Sequence, residues 1–238
     1  LVFDASIVIP TYNESDNIKK MISELQSVFS DNSLDVEIIV VDDDSPDGTA
    51  KIAKQLSEEY SGIKVVVRTA NKGLSQSVVE GFGHCSSDII GVIDCDFSHP
   101  PRLVPEFINS IKQGNYDIVF GTRYTDKGGI EGWGLKRKII SWGATSIARL
   151  FVPFTTDPVS GFFFFRKHVI EDVRLNPIGY KIGLEILGKG NWKKYGEISY
   201  HFKNRERGDS KLGLKEIVEY PIQVLDILIY KFKKKVRA

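Results

Sequence analysis

The sequence predicts a doubly wound α/β domain built on a mostly parallel sheet. Three observations predict it. Short apolar runs recur at residues 6–10, 37–41, 64–67, 89–93 and 118–120. Segments with apolar residues at helical spacing separate them. Acidic and polar residues cluster just after the runs, where ligands sit in open parallel sheets.

Residues 6–10 form the first strand, and the polar stretch 11–15 is the loop at its carboxyl end. Ile18, Met21, Ile22, Leu25, Val28 and Phe29 then share one helical face. Residues 37–41 are the second strand, ending in Asp42, Asp43 and Asp44. Ile52, Ala53, Leu56 and Tyr60 mark the next helix. Residues 64–67 are a third strand, 68–73 a loop and 75–84 a short helix. The run from Ile89 to Ile93 is a central strand, covered on both faces. Leu103, Val104, Phe107, Ile108 and Ile111 form a helix, and 118–120 the next strand. Right-handed crossovers place helices on both faces of such a sheet.

Past residue 120 the pattern loosens. Residues 133–151 form a helix with Trp133, Ile140, Ala144, Ile147 and Leu150 among its apolar positions, and with Lys136, Arg137 and Lys138. Residues 157–161 are a turn, and Phe162 to Phe165 a core run or an interface wall. A late strand covers 197–202, and a basic loop with a glycine covers 204–212. Residues 214–232 are amphipathic, broken at Pro221, and a basic tail follows with Lys231, Lys233, Lys234, Lys235 and Arg237. The chain divides into a main domain, 1–212, and a C-terminal segment, 213–238.

A net charge of +1 points to no polyanion, hence to no nucleic acid. The two cysteines, Cys85 and Cys95, suit a reducing compartment or indifference to redox. No signal peptide is expected, and no apolar run of about eighteen residues predicts a membrane span.

Asp94 and Asp96 carry the chemistry. Two apart on an extended backbone, they point the same way. Converging carboxylates repel unless a cation lies between them, and hard oxygen ligands suit Mg²⁺ or Mn²⁺. An ion with few protein ligands takes others from phosphates, so the pair proposes a metal-bound phosphorylated substrate. Taken alone, the pair reads rather as two acids ending a strand before Pro100 and Pro101. The acids 42–44 cannot all be buried as ions. One would accept hydrogen bonds from a ribose or base edge, unless Asp47 caps the next helix and the others are solvated. Arg123, Arg137, Arg205 and Lys211 would pair with a diphosphate, or else 204–212 is a solvated basic loop. His99 and His201 fit structural or solvated roles. No dinucleotide fingerprint, phosphate-loop lysine motif, nucleophile elbow or zinc site occurs.

Six segments together resemble one family: VIPTYNE at 8–14, VDDDSPDGT at 41–49, DCDFSHP at 94–100, GTRY at 121–124, 132–138, and 205–212. They resemble the dolichyl-phosphate mannosyltransferases, family-2 glycosyltransferases of GT-A fold, over nearly the whole chain. The SPDGT stretch is more typical of mannosyl than of glucosyl transferases. The resemblance implies a catalytic domain over 1–212 that moves mannose, with inversion, from GDP-mannose to dolichyl or another polyprenyl phosphate. It implies that Pro10, Tyr12, Glu14, Val41 and Asp43 hold the guanosine, and that Asp94, Cys95 and Asp96 contact the sugar nucleotide. Asp94, Asp96 and Ser98 would serve Mg²⁺ or Mn²⁺. Arg123, Arg205 and Lys211 would grip phosphates of donor or acceptor, and Arg137 and Ser141 the acceptor phosphate. It also implies a membrane-associated protein on the cytoplasmic face, of the endoplasmic reticulum or of an archaeal plasma membrane. Residues 213–238 would meet the membrane surface or small membrane subunits. The chain departs from the family at Phe163, where relatives carry arginine, and at Ser75 and Ser77, where they carry Gly and Ala. Other readings are a UDP-sugar transferase acting on a polyprenyl phosphate, a phosphatase, for which the residues after Asp96 fit poorly, and a nucleotide-binding scaffold subunit.

Overall fold

The computed structural model describes residues 3–132, 134–203 and 214–237. In chain order the elements are β1 (Ala5–Thr11), α1 (Ser15–Asp31), β2 (Val36–Asp42), α2 (Thr49–Glu59), β3 (Ile63–Val67), α3 (Leu74–His84), β4 (Ile89–Val92) and α4 (Val104–Lys112). Then follow β5 (Ile118–Thr122), β6 (Gly129–Ile130), α5 (Leu135–Arg149), β7 (Phe163–Arg166), α6 (Ile182–Lys189), β8 (Tyr195–Ser199), β9 (His201–Phe202) and α7 (Leu214–Arg237). Seven strands form the main sheet in the order β3-β2-β1-β4-β7-β5-β8, and β6 pairs with β9 beside it. Within the main sheet only β7 runs antiparallel, against both β4 and β5.

Every residue of β1 and β2 is buried, as a sheet covered on both faces requires. Strand alternation sorts their side chains. Ile7, Ile9, Ile38 and Val40 join one core with α1, α2 and α4. Val8, Ile39 and Val41 join the opposite core with α3, α6 and α7. The aromatic run obeys the same rule: Phe162 and Phe164 pack on Phe107 at ring separations of 4.4 and 4.9 Å. Phe163 stacks on Phe120 at 5.0 Å, and Phe165 meets Phe82 edge-on at 5.2 Å. The run thus leads into and fills the interior strand β7, and all four rings are buried. Gly91 in β4 makes room for it, since a Cβ there would lie 2.2 Å from Phe164 Cε1. Phe163, where the resemblance leads one to expect arginine, is core.

One expectation is corrected. The C-terminal helix is not broken at Pro221, because α7 continues through it. Proline removes one internal hydrogen bond, but side chains on either side pin the helix. Tyr220 donates its hydroxyl to Ala144 O at 2.5 Å, and Gln223 Nε2 donates to Lys181 O at 3.0 Å. A buried charge cluster fastens the next turn: Lys189 of α6 lies 2.6 Å from Glu185 and 2.5 Å from Asp226 of α7. Among the described residues no helix is long and apolar enough to cross a membrane.

Glu37 is the one buried acid inside β1 or β2 proper, before their carboxyl ends. It accepts hydrogen bonds from Ser6 Oγ at 2.5 Å, Ser86 N at 2.5 Å, Ser86 Oγ at 2.6 Å and Lys64 Nζ at 2.9 Å. Burial alone would raise its pKa, yet these bonds outweigh burial and bring it from 4.5 down to about 2. A carboxyl depressed on folding stabilises the protein above its unfolded pKa and loses that contribution as pH falls through the folded one. Stability measured by urea unfolding should therefore fall by about 2–3 kcal/mol between pH 5 and pH 2 on this account. Glu37→Gln should flatten that slope, and an unchanged slope would show that the network does not hold the charge.

Candidate active site

The sheet order creates the site. β1 connects outward to β2 and β3 on one side, while β4 lies on its other side. A crevice opens beyond the carboxyl ends of β1 and β4, where the strand order reverses. There a cavity of about 530 Å³ is lined by Pro10, Tyr12, Glu14, Asp43, Asp94, Cys95, Asp96 and Ser98. Arg123, Ser141, Val159, Gly161, Tyr180, Lys181 and Glu219 line it as well.

Asp94 and Asp96 converge on this cavity, but not for the reason the sequence suggested. β4 ends at Val92, and both acids lie in the turn beyond it. The neighbouring strand stops supplying partners, so the Asp94 N–H donates to His99 Nδ1 at 3.1 Å. Phe97 adopts a left-handed conformation, φ 61°, unusual for a bulky side chain. That turn lets the Ser98 N–H donate to Asp96 Oδ1 at 3.1 Å. His99 stacks on Phe162 at 5.1 Å, and burial brings its pKa down to about 3. The negative charge of Asp96 opposes this shift, and the positive charges of Arg123 and Lys181 add to it. His99 is therefore neutral, accepts at Nδ1 and holds the turn, in line with a structural role.

The donor set fits a divalent ion. Among the described residues no group of three or more His, Cys, Asp or Glu side chains gathers as a closed metal cage. Instead two carboxylates line an open cavity, and Ser98 Oγ is buried without a hydrogen-bond partner among the described residues. An oxygen site with few protein ligands is what Mg²⁺ or Mn²⁺ uses when phosphates complete the shell.

The three acids after β2 have separate fates. Asp42 is consumed locally, accepting from Thr11 Oγ1 at 2.8 Å, Ser45 N at 2.8 Å and Ser45 Oγ at 2.6 Å. Asp43 reaches the cavity, fixed by Arg68 Nη1 at 2.6 Å, the Gly73 N–H at 2.6 Å and Ser77 Oγ at 2.7 Å. Ser77, a departure from the family, is thus part of the support of Asp43. Asp44 is exposed and pairs with Lys72 at 3.1 Å. Asp47 ties the starts of α1 and α2 together, accepting from the Ser15 and Thr49 N–H groups, each at 3.0 Å. Val41 is wholly buried and is not among the residues that line the cavity.

Arg123 sits at the end of β5, 7% exposed, in a two-point pair with Asp157: Nε at 2.6 Å and Nη2 at 2.8 Å. Burial works against its charge, and the Asp157 carboxylate outweighs that, holding the guanidinium pKa above its usual value. Ser141 Oγ lies 2.9 Å from Tyr124 OH. Arg205, Lys211 and the side chain of Arg137 lie outside the described residues. Sequence reasoning missed Asp157, Arg68 and Lys181. Asp157 stood in a turn motif and Arg68 opened a loop, and neither spacing points to a partner distant in sequence.

This fold is of the GT-A type. The profile of Glycosyl transferase family 2 matches residues 6–174, and the chain belongs to that family. Over 90% of its length it is 47% identical to a dolichol-phosphate mannosyltransferase of Pyrococcus furiosus, spanning 61% of that protein. It is 34% identical to dolichol-phosphate mannosyltransferases of Mycosarcoma maydis and Saccharomyces cerevisiae, spanning 80% and 88% of them. Among solved structures, glucosyl-3-phosphoglycerate synthase from Mycobacterium tuberculosis, in complex with Mn²⁺, uridine diphosphate and glucosyl-3-phosphoglycerate, superposes with a TM-score of 0.68 at 20% identity. The match covers 95% of this chain and 79% of that one. Mannosyl-3-phosphoglycerate synthase from Rubrobacter xylanophilus matches at 0.67 and 18%, over 99% and 76% of the two chains. These distant structures share the fold.

Removing one partner of a buried ion pair strands the other charge and costs about 3–5 kcal/mol. Asp157→Ala should lower unfolding stability by that amount in urea melts. A loss under about 1 kcal/mol would mean that water reaches Arg123.

Proposed function

We propose that the chain transfers mannose from GDP-mannose to dolichyl or another polyprenyl phosphate, with inversion at the anomeric carbon. The observation that carries this reading is the acid turn Asp94–Asp96 facing Arg123 across a switch-point cavity, in a chain 47% identical to a named dolichol-phosphate mannosyltransferase. Residues 1–212 would be the catalytic domain and 213–238 a segment for the membrane or a partner subunit.

In this reading Pro10, Tyr12, Glu14, Val41 and Asp43 receive the guanosine. Asp94, Asp96 and Ser98 hold Mg²⁺ or Mn²⁺, and Cys95 lies against the sugar nucleotide. Such an ion offsets the charge that develops on the departing diphosphate. Arg123, oriented by Asp157, is set at the cavity before substrate arrives, so its charge needs no reorganisation during transfer. Arg205 and Lys211 add charge to the phosphates, and Arg137 and Ser141 meet the acceptor. The acceptor oxygen belongs to a phosphate monoester with a second pKa of about 6. It is largely anionic at neutral pH and needs aiming more than deprotonation. The oxygen attacks the anomeric carbon, the carbon–oxygen bond to GDP breaks, and GDP leaves with the electron pair.

Two helices support a membrane surface as partner. On α5, Leu135, Ile139, Trp142 and Ile147 are exposed, with Leu150 just beyond it; on α7, Val218, Ile222, Leu225, Ile229 and Phe232 are exposed. Exposed side chains of this size on helices that also carry Lys138, Arg149, Lys233 and Lys234 suit an anionic lipid interface.

With purified protein, GDP-mannose and a short prenyl phosphate, Asp96→Ala should lose on the order of 10²–10³ in rate. Near-normal turnover in that variant would remove Asp96 from the mechanism, and faster use of UDP-sugars by the unaltered protein would replace the donor. The protein should co-float with vesicles containing anionic lipid, and the double variant Trp142→Glu, Phe232→Glu should float about tenfold less. Equal flotation would discard this surface.

A further inference from the structure

The segment from Arg68 to Ser77 closes on Asp43. The Asp43 main chain is fixed first: its N–H donates to Thr11 O at 3.0 Å, at the end of β1. Arg68 directly follows β3, and its N–H donates to Asp42 O at 2.8 Å. From there its guanidinium turns back. Nη1 donates to Asp43 Oδ1 at 2.6 Å and to Ser77 Oγ at 2.8 Å, and Nη2 donates to Asn71 O at 2.7 Å. Ser77 is buried in the first turn of α3. Its hydroxyl has one proton. Asp43 Oδ1 at 2.7 Å competes for that proton with Gly73 O at 2.9 Å, and the charged acceptor is the stronger partner.

These bonds leave little of the carboxylate open. A carboxylate offers about four acceptor positions. Arg68 and Ser77 take both on Oδ1, and the Gly73 N–H takes one on Oδ2 at 2.6 Å. Among the described residues, one position on Oδ2 is left for a ligand. Its direction matters, because the last torsion of an aspartate is soft. A carboxylate held at one oxygen swivels about that torsion, and one held at both oxygens by three donors does not. The Ser77 hydroxyl also joins the guanidinium to the acid, so the two keep one geometry. The sequence puts serine here, where the resemblance leads one to expect alanine. Alanine would leave Oδ1 short of a donor and Arg68 Nη1 short of an acceptor.

We propose that Ser77 and Arg68 are positioning residues for the nucleotide: they hold Oδ1 of Asp43 so that Oδ2 presents one acceptor to the nucleoside. One N–H or O–H group of the nucleoside fills that position. The proposal rests on the assignment of Asp43 to the guanosine under the proposed function. It adds that affinity for the donor nucleotide is set in part by two side chains acting through Asp43 rather than by contacts of their own.

The test is calorimetric binding of GDP and GMP to the whole chain, with and without Mn²⁺, beside steady-state kinetics with GDP-mannose and a short prenyl phosphate. Ser77→Ala removes one hydroxyl from a helix and raises helix propensity, so it should fold as the unaltered protein does. It should weaken GDP binding about 5- to 10-fold, by the same factor for GMP and with or without Mn²⁺. The KM for GDP-mannose should rise by that factor with kcat little changed. Arg68→Met should weaken GDP binding about 10- to 100-fold. Arg68→Lys keeps the charge without the planar fork and should recover part of that loss. In a protein that already carries Asp43→Asn, Ser77→Ala should weaken binding no further. Unchanged GDP affinity in Ser77→Ala, where Asp43→Asn loses affinity, overturns the proposal alone. Equal losses from Ser77→Ala with and without Asp43→Asn place its action elsewhere and overturn it as well. A loss seen only with Mn²⁺ assigns the effect to the diphosphate and also overturns it. Unchanged GDP affinity in Asp43→Asn overturns the guanosine assignment itself.

Discussion

The antiparallel seating of β7 between β4 and β5 is the constraint on which the site depends. In a wholly parallel sheet, a strand between β4 and β5 would end at the cavity. Because β7 runs the other way, it begins there instead. The residues just before it, Asp157 to Phe162, are thereby laid across the carboxyl ends of both neighbours. That brings Asp157 to Arg123, sets Gly161 against Asp94, and places Phe162 under the His99 ring. The strand stays because its three phenylalanines, with Phe162 just before it, fill both cores, two rings to each face. A large apolar payload thus holds in register a strand whose start organises charged chemistry.

Three charged groups of the cavity follow one pattern: each is held by a neighbour before any ligand binds. Asp43 is fixed by Arg68, Ser77 and the Gly73 amide, Arg123 by Asp157, and Asp96 by the Ser98 amide. Charges fixed in a partly dry crevice act more strongly than charges in water and need not rearrange as a reaction proceeds. Holding them takes internal hydrogen bonds and one left-handed phenylalanine, the local strain that functional turns carry.

Much of this was legible in the sequence. The apolar runs and helical spacings located the strands from β1 to β5, because a doubly covered sheet writes continuous hydrophobic segments. That Asp94, Asp96 and Arg123 stand at the cavity was legible because they follow strands closely, where open α/β sheets put their ligands, whereas only the family resemblance singled out Asp43 from Asp42 and Asp44. The geometry that unites Asp94 and Asp96 was not: periodicity describes an extended chain, and these acids lie past the strand's last hydrogen bond. Asp157 and Lys181 were not legible either, since their partners are 34 and 22 residues away. The course of α7 through Pro221 was hidden for the same reason: its hold comes from Ala144 and Lys181, far away along the chain.

The Glu185–Lys189–Asp226 cluster has a consequence for how the molecule sits on anything it touches. Peeling α7 away would separate Asp226 from Lys189 and leave the ammonium, buried beside Glu185, one counter-charge short. Stranding a buried ion costs several kcal/mol, so the helix and the sheet beneath it turn as a single piece. A planar support contacted by α7 would therefore fix the pitch and roll of the entire molecule. The direction in which the crevice looks would then be a property of the fold, set before any cargo arrives.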